Sequence, residues 1–257
     1  MQHRARKRFG QHFLVDGDVI ERIVAAVAPA EGECIVEIGP GQAAITEPLA
    51  ALSSELHAIE FDRDLAAALR QRFADRSNVM IHEADVLDFD FATLGADLRI
   101  VGNLPYNIST PVLFHLLEFV GNIRDAHFML QKEVVDRMAA EPGGRDFGRL
   151  TIMLGYRLET VPLFDVLPGA FSPPPKVMSS VVRLRPHPPG TFEAVDQAVL
   201  STIVRAAFSR RRKTLRNALK GTVAIEDIEA AGLAATLRPE QVGISDWIRL
   251  ANRLGAG

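Results

Sequence analysis

The sequence excludes several classes of protein by what it lacks. It has a single cysteine, Cys34, among 257 residues, so no disulfide can form within the chain and a reducing, cytoplasmic setting is expected. No apolar run approaches the roughly 20 residues that span a bilayer, and no apolar signal core follows the basic start, so we predict no membrane partner. Repeats and low-complexity tracts are missing as well. The 47% hydrophobic residues allow one large domain, or a large domain with a small one.

Acidic residues are missing from two segments that are rich in basic ones. Residues 1–15 hold four basic residues, including Arg6, Lys7 and Arg8, and residues 203–220 hold seven, including Arg210, Arg211, Arg212 and Lys213. The rest of the chain has 18 basic residues against 32 acidic ones. Solvated helix faces and a frayed terminus would also produce basic clusters. Two clusters on an otherwise acidic chain favour contact with a polyanion such as a nucleic acid.

Short apolar segments alternate with helix-like segments over the first 140 residues. Strands are predicted at residues 34–38, 56–61, 79–85, 98–101 and 126–130. The helices between them are predicted from an Asp18 cap to about Ala28, from the glycine turn to about Leu52, over 65–73, from a Ser109 cap to about Val120, and over 133–140. This alternation predicts an α/β fold with a doubly wound, mostly parallel sheet.

The pattern changes toward the C-terminus. A helix is predicted at residues 150–158, and two strands, 161–166 and 180–184, flank a proline-rich loop at 171–176. After residues 186–190 the pattern is purely helical. We therefore predict two domains, residues 1–187 with the sheet and the basic N-terminal arm, and residues 188–257 as a small all-helical domain that binds RNA.

The run Asn103-Leu104-Pro105-Tyr106 follows a buried strand and precedes a helix. It should therefore lie at the carboxyl edge of the sheet, where open α/β folds bind ligands. The Asn103 amide and the Leu104 carbonyl are hydrogen-bond acceptors, and Tyr106 offers a flat stacking face. This set suits an exocyclic amino group on a flat heterocycle such as adenine. An ordinary turn with Tyr106 in the core explains the four residues equally well.

Three further strand ends carry polar or glycine residues. Glu37, Gly39 and Gly41 surround the first strand-to-helix turn, Glu60 ends the second strand, and Asp85 ends the third. An acid placed like Glu60 can bind ribose hydroxyls. A nicotinamide dehydrogenase is one reading of this pattern. Glu37 would oppose a pyrophosphate, however, and suits a cationic cofactor such as S-adenosylmethionine.

Together these motifs resemble the ribosomal RNA adenine dimethyltransferase family, in its bacterial small-subunit branch. The resemblance covers nearly the whole chain and rests on the runs at 8–14, 36–41, 60–62, 84–85, 102–106, 171–177, 208–215 and 238–241. It implies a Rossmann-like methyltransferase that uses S-adenosylmethionine to dimethylate N6 of two adjacent adenosines. Those adenosines lie in the 3′-terminal hairpin loop of small-subunit (16S) rRNA. The expected partners are that RNA and pre-30S particles, with the chain acting as a monomer.

The resemblance also assigns roles to residues. The cofactor site would include His12, Leu14, Gly39, Gly41, Glu60, Asp85 and Asn103, and the target base would meet Asn103, Leu104, Tyr106 and Phe171. No metal is predicted. His12 stands where Asn is usual, Gln42-Ala43 where Leu-Gly is common, and Met178 where Asp is usual. Two other functions stay open, a large-subunit adenine methyltransferase of the antibiotic-resistance type, and an assembly factor that acts mainly by binding.

Overall fold

The computed structural model describes residues 12–255. The predicted RNA contacts Arg6, Lys7 and Arg8 lie outside the described residues. The described chain falls into two compact units, residues 12–135 with Thr160–Pro186, and Asp136–Glu159 with residues 187–255. The prediction had instead assigned residues 136–159 to the first domain.

The described strands are β1 (Phe13–Leu14), β2 (Cys34–Ile38), β3 (Glu55–Glu60), β4 (Val79–Glu83), β5 (Leu98–Asn103), β6 (Ile123–Gln131), β7 (Leu158–Val166), β8 (Phe171–Ser172) and β9 (Ser179–Pro186). The first unit is built on a seven-stranded sheet in the order β4-β3-β2-β5-β6-β9-β7. Strands β2 to β6 run parallel, and β9 pairs antiparallel with β6. A separate two-stranded pair joins β1 to β8. The predicted doubly wound, mostly parallel sheet is therefore confirmed.

Four helices pack along the parallel strands, α1 (Gly17–Val27), α2 (Thr46–Leu52), α3 (Arg63–Arg72) and α4 (Ser109–Leu116). The Asp62 carboxylate accepts from the backbone N–H groups of residues 64 and 65 and so begins α3. The Asp16 carboxylate caps α1 by accepting from the N–H of Val19, so the prediction that Asp18 is the cap was wrong. The predicted Ser109 cap was also wrong, because Ser109 is the first residue of α4 and Ile108 precedes it.

The sheet order places the chemistry-bearing strand ends side by side. β2 and β5 are neighbours at the centre, where the chain reverses its direction of winding. Gly102 on β5 allows close contact there, because a Cβ atom on it would lie 2.7 Å from the carbonyl oxygen of Ile38. This crossing point is where doubly wound sheets open a crevice for ligands.

The second unit is helical. Its helices are the end of α5 (Lys132–Met138), α6 (Arg149–Gly155), α7 (Gln197–Ser209), α8 (Leu215–Ala218), α9 (Ile225–Ala230) and α10 (Ile244–Gly255). Trp247 is fully buried, and its ring centroid lies 6.1 Å from that of Phe208. Gly155 at the end of α6 lies against the side chain of Ile244, which explains why α6 belongs to this unit. Among residues 12–255, none of the helices is long and apolar enough to cross a bilayer.

Candidate active site

A groove follows the carboxyl ends of the central parallel strands. One cavity, of about 690 Å³, is lined by β1, the turn after β2 and the Asn103–Tyr106 run. A second, of about 730 Å³, is lined by the ends of β3 and β4 and the loop after β5. Gly39, Glu60 and Pro105 line both cavities, so the two adjoin. The groove therefore collects the strand-end residues that the sequence pattern singled out.

The glycine turn after β2 is tied to the end of β3 by Glu60. Gly39 and Gly41 have φ values of 70° and 55°, in the left-handed region that favours glycine. The backbone N–H groups of Gly41 and Asp62 donate to the two carboxylate oxygens of Glu60, at 3.1 and 2.9 Å. Burial raises the pKa of Glu60, and these two hydrogen bonds oppose the rise. Glu60 thus shapes the turn and also presents its carboxylate to the groove.

Ala43 occupies a backbone conformation that suits glycine better. Its φ is 67° and it is 1% exposed. A Cβ atom in the left-handed region costs roughly 1–2 kcal/mol. Ala43 at the position where the resemblance expects glycine therefore stores strain in the turn.

Glu37 is a buried carboxyl on the wall of the first cavity. It is 2% exposed, and its Oε2 has no hydrogen-bond partner among the described residues. Burial raises the pKa of Glu37 to about 7, the neighbouring charge of Glu60 adds to the rise, and the Thr46 hydroxyl opposes it. An unpaired carboxyl oxygen beside the groove can accept a hydrogen bond from a cationic ligand group.

Asn103 is held in a defined orientation at the end of β5. Its Nδ2 donates to the backbone carbonyl of His12 at 3.0 Å. Because the amide oxygen lies on the opposite branch of the side chain, this bond keeps Oδ1 available as an acceptor. Leu104 is 1% exposed, and it lines the first cavity together with Asn103 and Tyr106.

Tyr106 is positioned by its hydroxyl and by a neighbouring ring. The hydroxyl lies 2.8 Å from Ser179 Oγ, and the ring centroid lies 5.6 Å from that of His12. His12 Nδ1 lies 2.7 Å from the carbonyl oxygen of Pro173, so Nδ1 carries the proton and donates it. His12 thus anchors the proline-rich loop through its ring and Asn103 through its backbone. Sequence reasoning missed Ser179, since nothing in the sequence pattern links it to Tyr106.

Phe171 is next to the groove but is not among the residues that line either cavity. It is 4% exposed and belongs to the hydrophobic core together with Leu14. Its backbone pairs with Leu14 in the β1–β8 ladder, and the N–H of Val15 donates to the carbonyl of Ala170 at 2.9 Å. In this structure the proline-rich loop supports the site by holding β1, and the predicted stacking of Phe171 on a base stays a prediction. Leu14, by contrast, lines the first cavity as expected.

Asp85 and Phe61 contribute to the second cavity. Asp85 Oδ1 accepts from the backbone N–H of Leu87 at 3.0 Å, which turns the chain after β4. Phe61 is 59% exposed and lines the same cavity. It lies within the matching run 60–62, but no role was predicted for it from the sequence. A carboxylate beside exposed aromatic and aliphatic surface suits a planar base with an amino edge.

The basic segment after α7 belongs to the second unit. Arg210, Arg212 and Lys213 are exposed. Arg211 is less exposed, and its guanidinium donates to the backbone carbonyls of Gly144, at 3.2 Å, and Arg145. The four residues therefore differ, because Arg211 already ties two segments of the unit together while the other three project toward solvent.

Comparison with known protein families supplies an independent line of evidence. The model of the family described as "Ribosomal RNA adenine dimethylase" matches residues 2–255. The chain is 55% identical to ribosomal RNA small subunit methyltransferase A of Pseudomonas putida, over 98% of this chain and 96% of that protein. It is 54% identical to the protein of the same name from Aromatoleum aromaticum, over 99% and 96%. The resemblance inferred from the sequence motifs is confirmed.

Two solved structures have a similar fold over nearly the whole chain. A dimethyladenosine transferase from Plasmodium falciparum superposes with a TM-score of 0.84 at 23% identity, covering 95% of this chain and 98% of that one. The 23S rRNA methyltransferase ErmE superposes with a TM-score of 0.73 at 26% identity, covering 95% and 99%. The first of these similarities concerns the fold alone.

Proposed function

Because the chain belongs to the ribosomal RNA adenine dimethylase family, we propose that it dimethylates N6 of two adjacent adenosines in small-subunit (16S) rRNA, in the 3′-terminal hairpin loop. S-adenosylmethionine is the methyl donor. The observation that carries the proposal is the Asn103–Tyr106 run, which opens onto the same groove as Glu37 and Glu60. One groove thus offers acceptors for an amino group beside carboxylates for a cationic, ribose-containing cofactor.

The cofactor fits the donor groups that the groove presents. When bound, it supplies an electrophilic methyl group on a sulfonium centre. The unpaired oxygen of Glu37 suits the cationic end of this molecule, and the Glu60 carboxylate suits its ribose hydroxyls. Asp85 suits the adenine amino group. A dinucleotide would bring its pyrophosphate toward Glu37, so an oxidoreductase is disfavoured.

The residues of the Asn103–Tyr106 run act on the target base. The nitrogen lone pair of an adenine amino group is delocalised into the ring, so it is a weak nucleophile. Asn103 Oδ1 and the Leu104 carbonyl would accept its two hydrogens and favour a pyramidal nitrogen with a free lone pair. Tyr106, braced by Ser179, stacks against the base after it has left its own stack. Most of the catalysis is then positioning, and no base is needed before attack.

The basic segments would contact the phosphates of the RNA. Arg210, Arg212 and Lys213 are exposed on the helical unit and suit phosphate contacts, which carry no sequence information. The N-terminal segment with Arg6, Lys7 and Arg8 would add a second set. We propose that the chain acts in the cytoplasm on pre-30S particles, and that it acts as a monomer, because residues of one chain are enough to line the groove.

The direct test supplies labelled S-adenosylmethionine and under-methylated small subunits, with large subunits as the control, and then maps the modified bases. Label on two adjacent adenosines of the 3′-terminal hairpin supports the proposal. Label on large-subunit RNA alone would instead support the antibiotic-resistance type of enzyme. Tight association without label would support an assembly factor that acts by binding.

Asn103→Ala tests the mechanism. We expect single-turnover methylation to fall at least about 10²-fold, which is typical of losing a positioned polar group in an active site. RNA affinity should not change, because the contact matters most as the nitrogen becomes pyramidal. The substitution also removes the bond to His12, so cofactor affinity is measured alongside to detect a loosened β1. A folded variant with near-normal single-turnover methylation would overturn the role of this run.

A further inference from the structure

A second cluster of chemically active side chains lies at the amino ends of β2 and β3, opposite the carboxyl ends that form the groove. Cys34 begins β2, and Glu55 begins β3 beside it in the parallel ladder. His57 follows two residues after Glu55, so both side chains project from the same face. The thiol, carboxylate and imidazole ligand atoms lie within 4.8 Å of one another. Cys34 is four residues from the cofactor end of β2, or about 13 Å along the strand.

We propose that Cys34, Glu55 and His57 bind a divalent transition metal of the zinc type, with water as the fourth ligand. A sulfur, a nitrogen and an oxygen donor form a mixed set that zinc accepts, whereas calcium and magnesium require oxygen ligands. Three protein ligands with one open position is a common zinc arrangement. No metal was predicted from the sequence, and Cys34 lies too far along the chain from Glu55 and His57 for the three to form a spacing motif.

The distances need only a small adjustment. Ligand atoms at 2.0–2.3 Å from a tetrahedral zinc lie roughly 3.3–3.8 Å apart. His57 Nε2 and Glu55 Oε1 are 3.0 Å apart, a distance at which a proton lies between them. A metal ion would take the place of that proton. Since all three ligand atoms lie within 4.8 Å of one another, the widest separation has to shorten by about 1 Å. Glu55 is exposed, so its side chain can change rotamer to bring the donors together.

His82 on β4 provides the orienting partner that metal-binding histidines usually have. Its Nε2 lies 2.8 Å from His57 Nδ1, and the two rings stack with centroids 5.1 Å apart. When His57 Nε2 binds metal, the His57 proton moves to Nδ1 and is donated to His82 Nε2, and the proton that His82 Nε2 had donated to His57 moves to His82 Nδ1. Such an outer partner fixes the tautomer and orientation of the ligand. His57 is 7% exposed, so its ring has little freedom to turn away.

Metal binding also requires the Cys34 thiol to lose its proton. Burial raises the pKa of the Cys34 thiol to about 11, and the charge of Glu55 adds to the rise. The metal therefore displaces one proton from the thiol, which is released to solvent, while both imidazoles stay neutral. The bound ion would join the starts of β2 and β3, far from the methylation site, and the inference does not rest on the proposed function.

The test uses the full chain after chelator treatment. Zn²⁺ is titrated in competition with a chromophoric chelator, and Co²⁺ is added separately as a spectroscopic probe. We expect one equivalent of Zn²⁺ per chain, and a thiolate-to-cobalt charge-transfer band. The band identifies its ligand without ambiguity, because Cys34 is the single cysteine of the chain. Thermal unfolding should shift upward with Zn²⁺, since the site forms only in the folded state.

Three variants separate this site from non-specific binding. Cys34→Ser should abolish the cobalt charge-transfer band and weaken Zn²⁺ binding, and Glu55→Gln should also weaken binding. Glu83→Gln is the matched control, a strand carboxylate on β4 that pairs with Arg70 at 3.0 Å outside the cluster. It should leave Zn²⁺ affinity unchanged. Failure of the parent protein to hold one equivalent, or equal affinity in Cys34→Ser, would overturn the inference and leave a hydrogen-bonded chain from Glu55 through His57 to His82.

Discussion

Glu37→Gln should remove a pH-dependent loss of stability that the parent protein carries. The buried carboxyl has a pKa of about 7 in place of its usual 4.5. Between these values the folded chain keeps a proton that the unfolded chain has lost, so stability falls as pH rises from 4.5 to 7. The full penalty, present above pH 7, is roughly 3 kcal/mol at 1.36 kcal/mol per pKa unit. Glutamine keeps the shape of the side chain without the titration.

The assay is denaturant unfolding of both proteins at several pH values. The free energy of unfolding of the parent, relative to that of the Gln variant, should fall by about 2.5 kcal/mol between pH 5 and pH 8. Titrations of other groups, including the neighbouring Glu60, are largely shared by both proteins and cancel in the difference. Only the change of this free-energy difference with pH is used, because its pH-independent part also includes any new contact that the glutamine makes. Parallel curves would refute a buried, titrating Glu37.

The same carboxyl should couple proton release to cofactor binding. A cationic ligand favours the ionised form, so at pH 6, where most Glu37 is protonated, binding should release a proton that binding at pH 8 does not. If only the ionised form binds, affinity rises about tenfold over this range. Calorimetry in buffers of different ionisation enthalpy measures the proton count, and Glu37→Gln supplies the baseline for the cofactor's own titration. An identical proton count in both proteins would show that Glu37 does not meet the cation.

Four other variants probe the groove and the basic segment. Glu60→Ala should strongly weaken S-adenosylmethionine binding, measured by calorimetry, while RNA affinity stays near normal; unchanged cofactor affinity would reject its ribose role. Neutralising Arg210 and Arg212 should lower the slope of log RNA affinity against log salt concentration by about 0.7–0.9 per lost phosphate contact. Arg211→Gln should mainly lower the unfolding temperature, because its guanidinium holds backbone carbonyls; equal salt slopes in all these variants would mean that the segment is merely solvated. Tyr106→Ala should accumulate monomethyladenosine, because after the first methylation only one N–H remains to orient the base for the second transfer. Mass spectrometry that finds only dimethyladenosine would count against the stacking role.

The fold was predictable because local pattern determines where buried strands lie in an alternating chain. The prediction for β2 matches the structure at both ends, and those for β3 and β4 lie within two residues of it. The strand-end residues Glu60, Asp85 and Asn103 were found for the same reason, since the carboxyl ends of parallel strands share one edge. Helix ends were less predictable. Asp16 and Asp18 are both plausible caps, and only the path of the backbone selects between them.

What sequence reasoning missed depends on contacts between distant segments. Nothing local indicates that the backbone of Phe171 pairs with Leu14 and so holds β1 beside the groove. The resemblance assigned Phe171 to the target base, and that role stays a prediction. Asn103 receives its orientation from the carbonyl of His12, a group that every residue type possesses, so replacing the usual Asn by His leaves this bond available. The effect of that departure therefore falls on the ring, which bonds Pro173 and flanks Tyr106. Residues that act through their backbone tolerate substitution, while Asn103 and Glu60 act through side-chain atoms that only a few residue types provide.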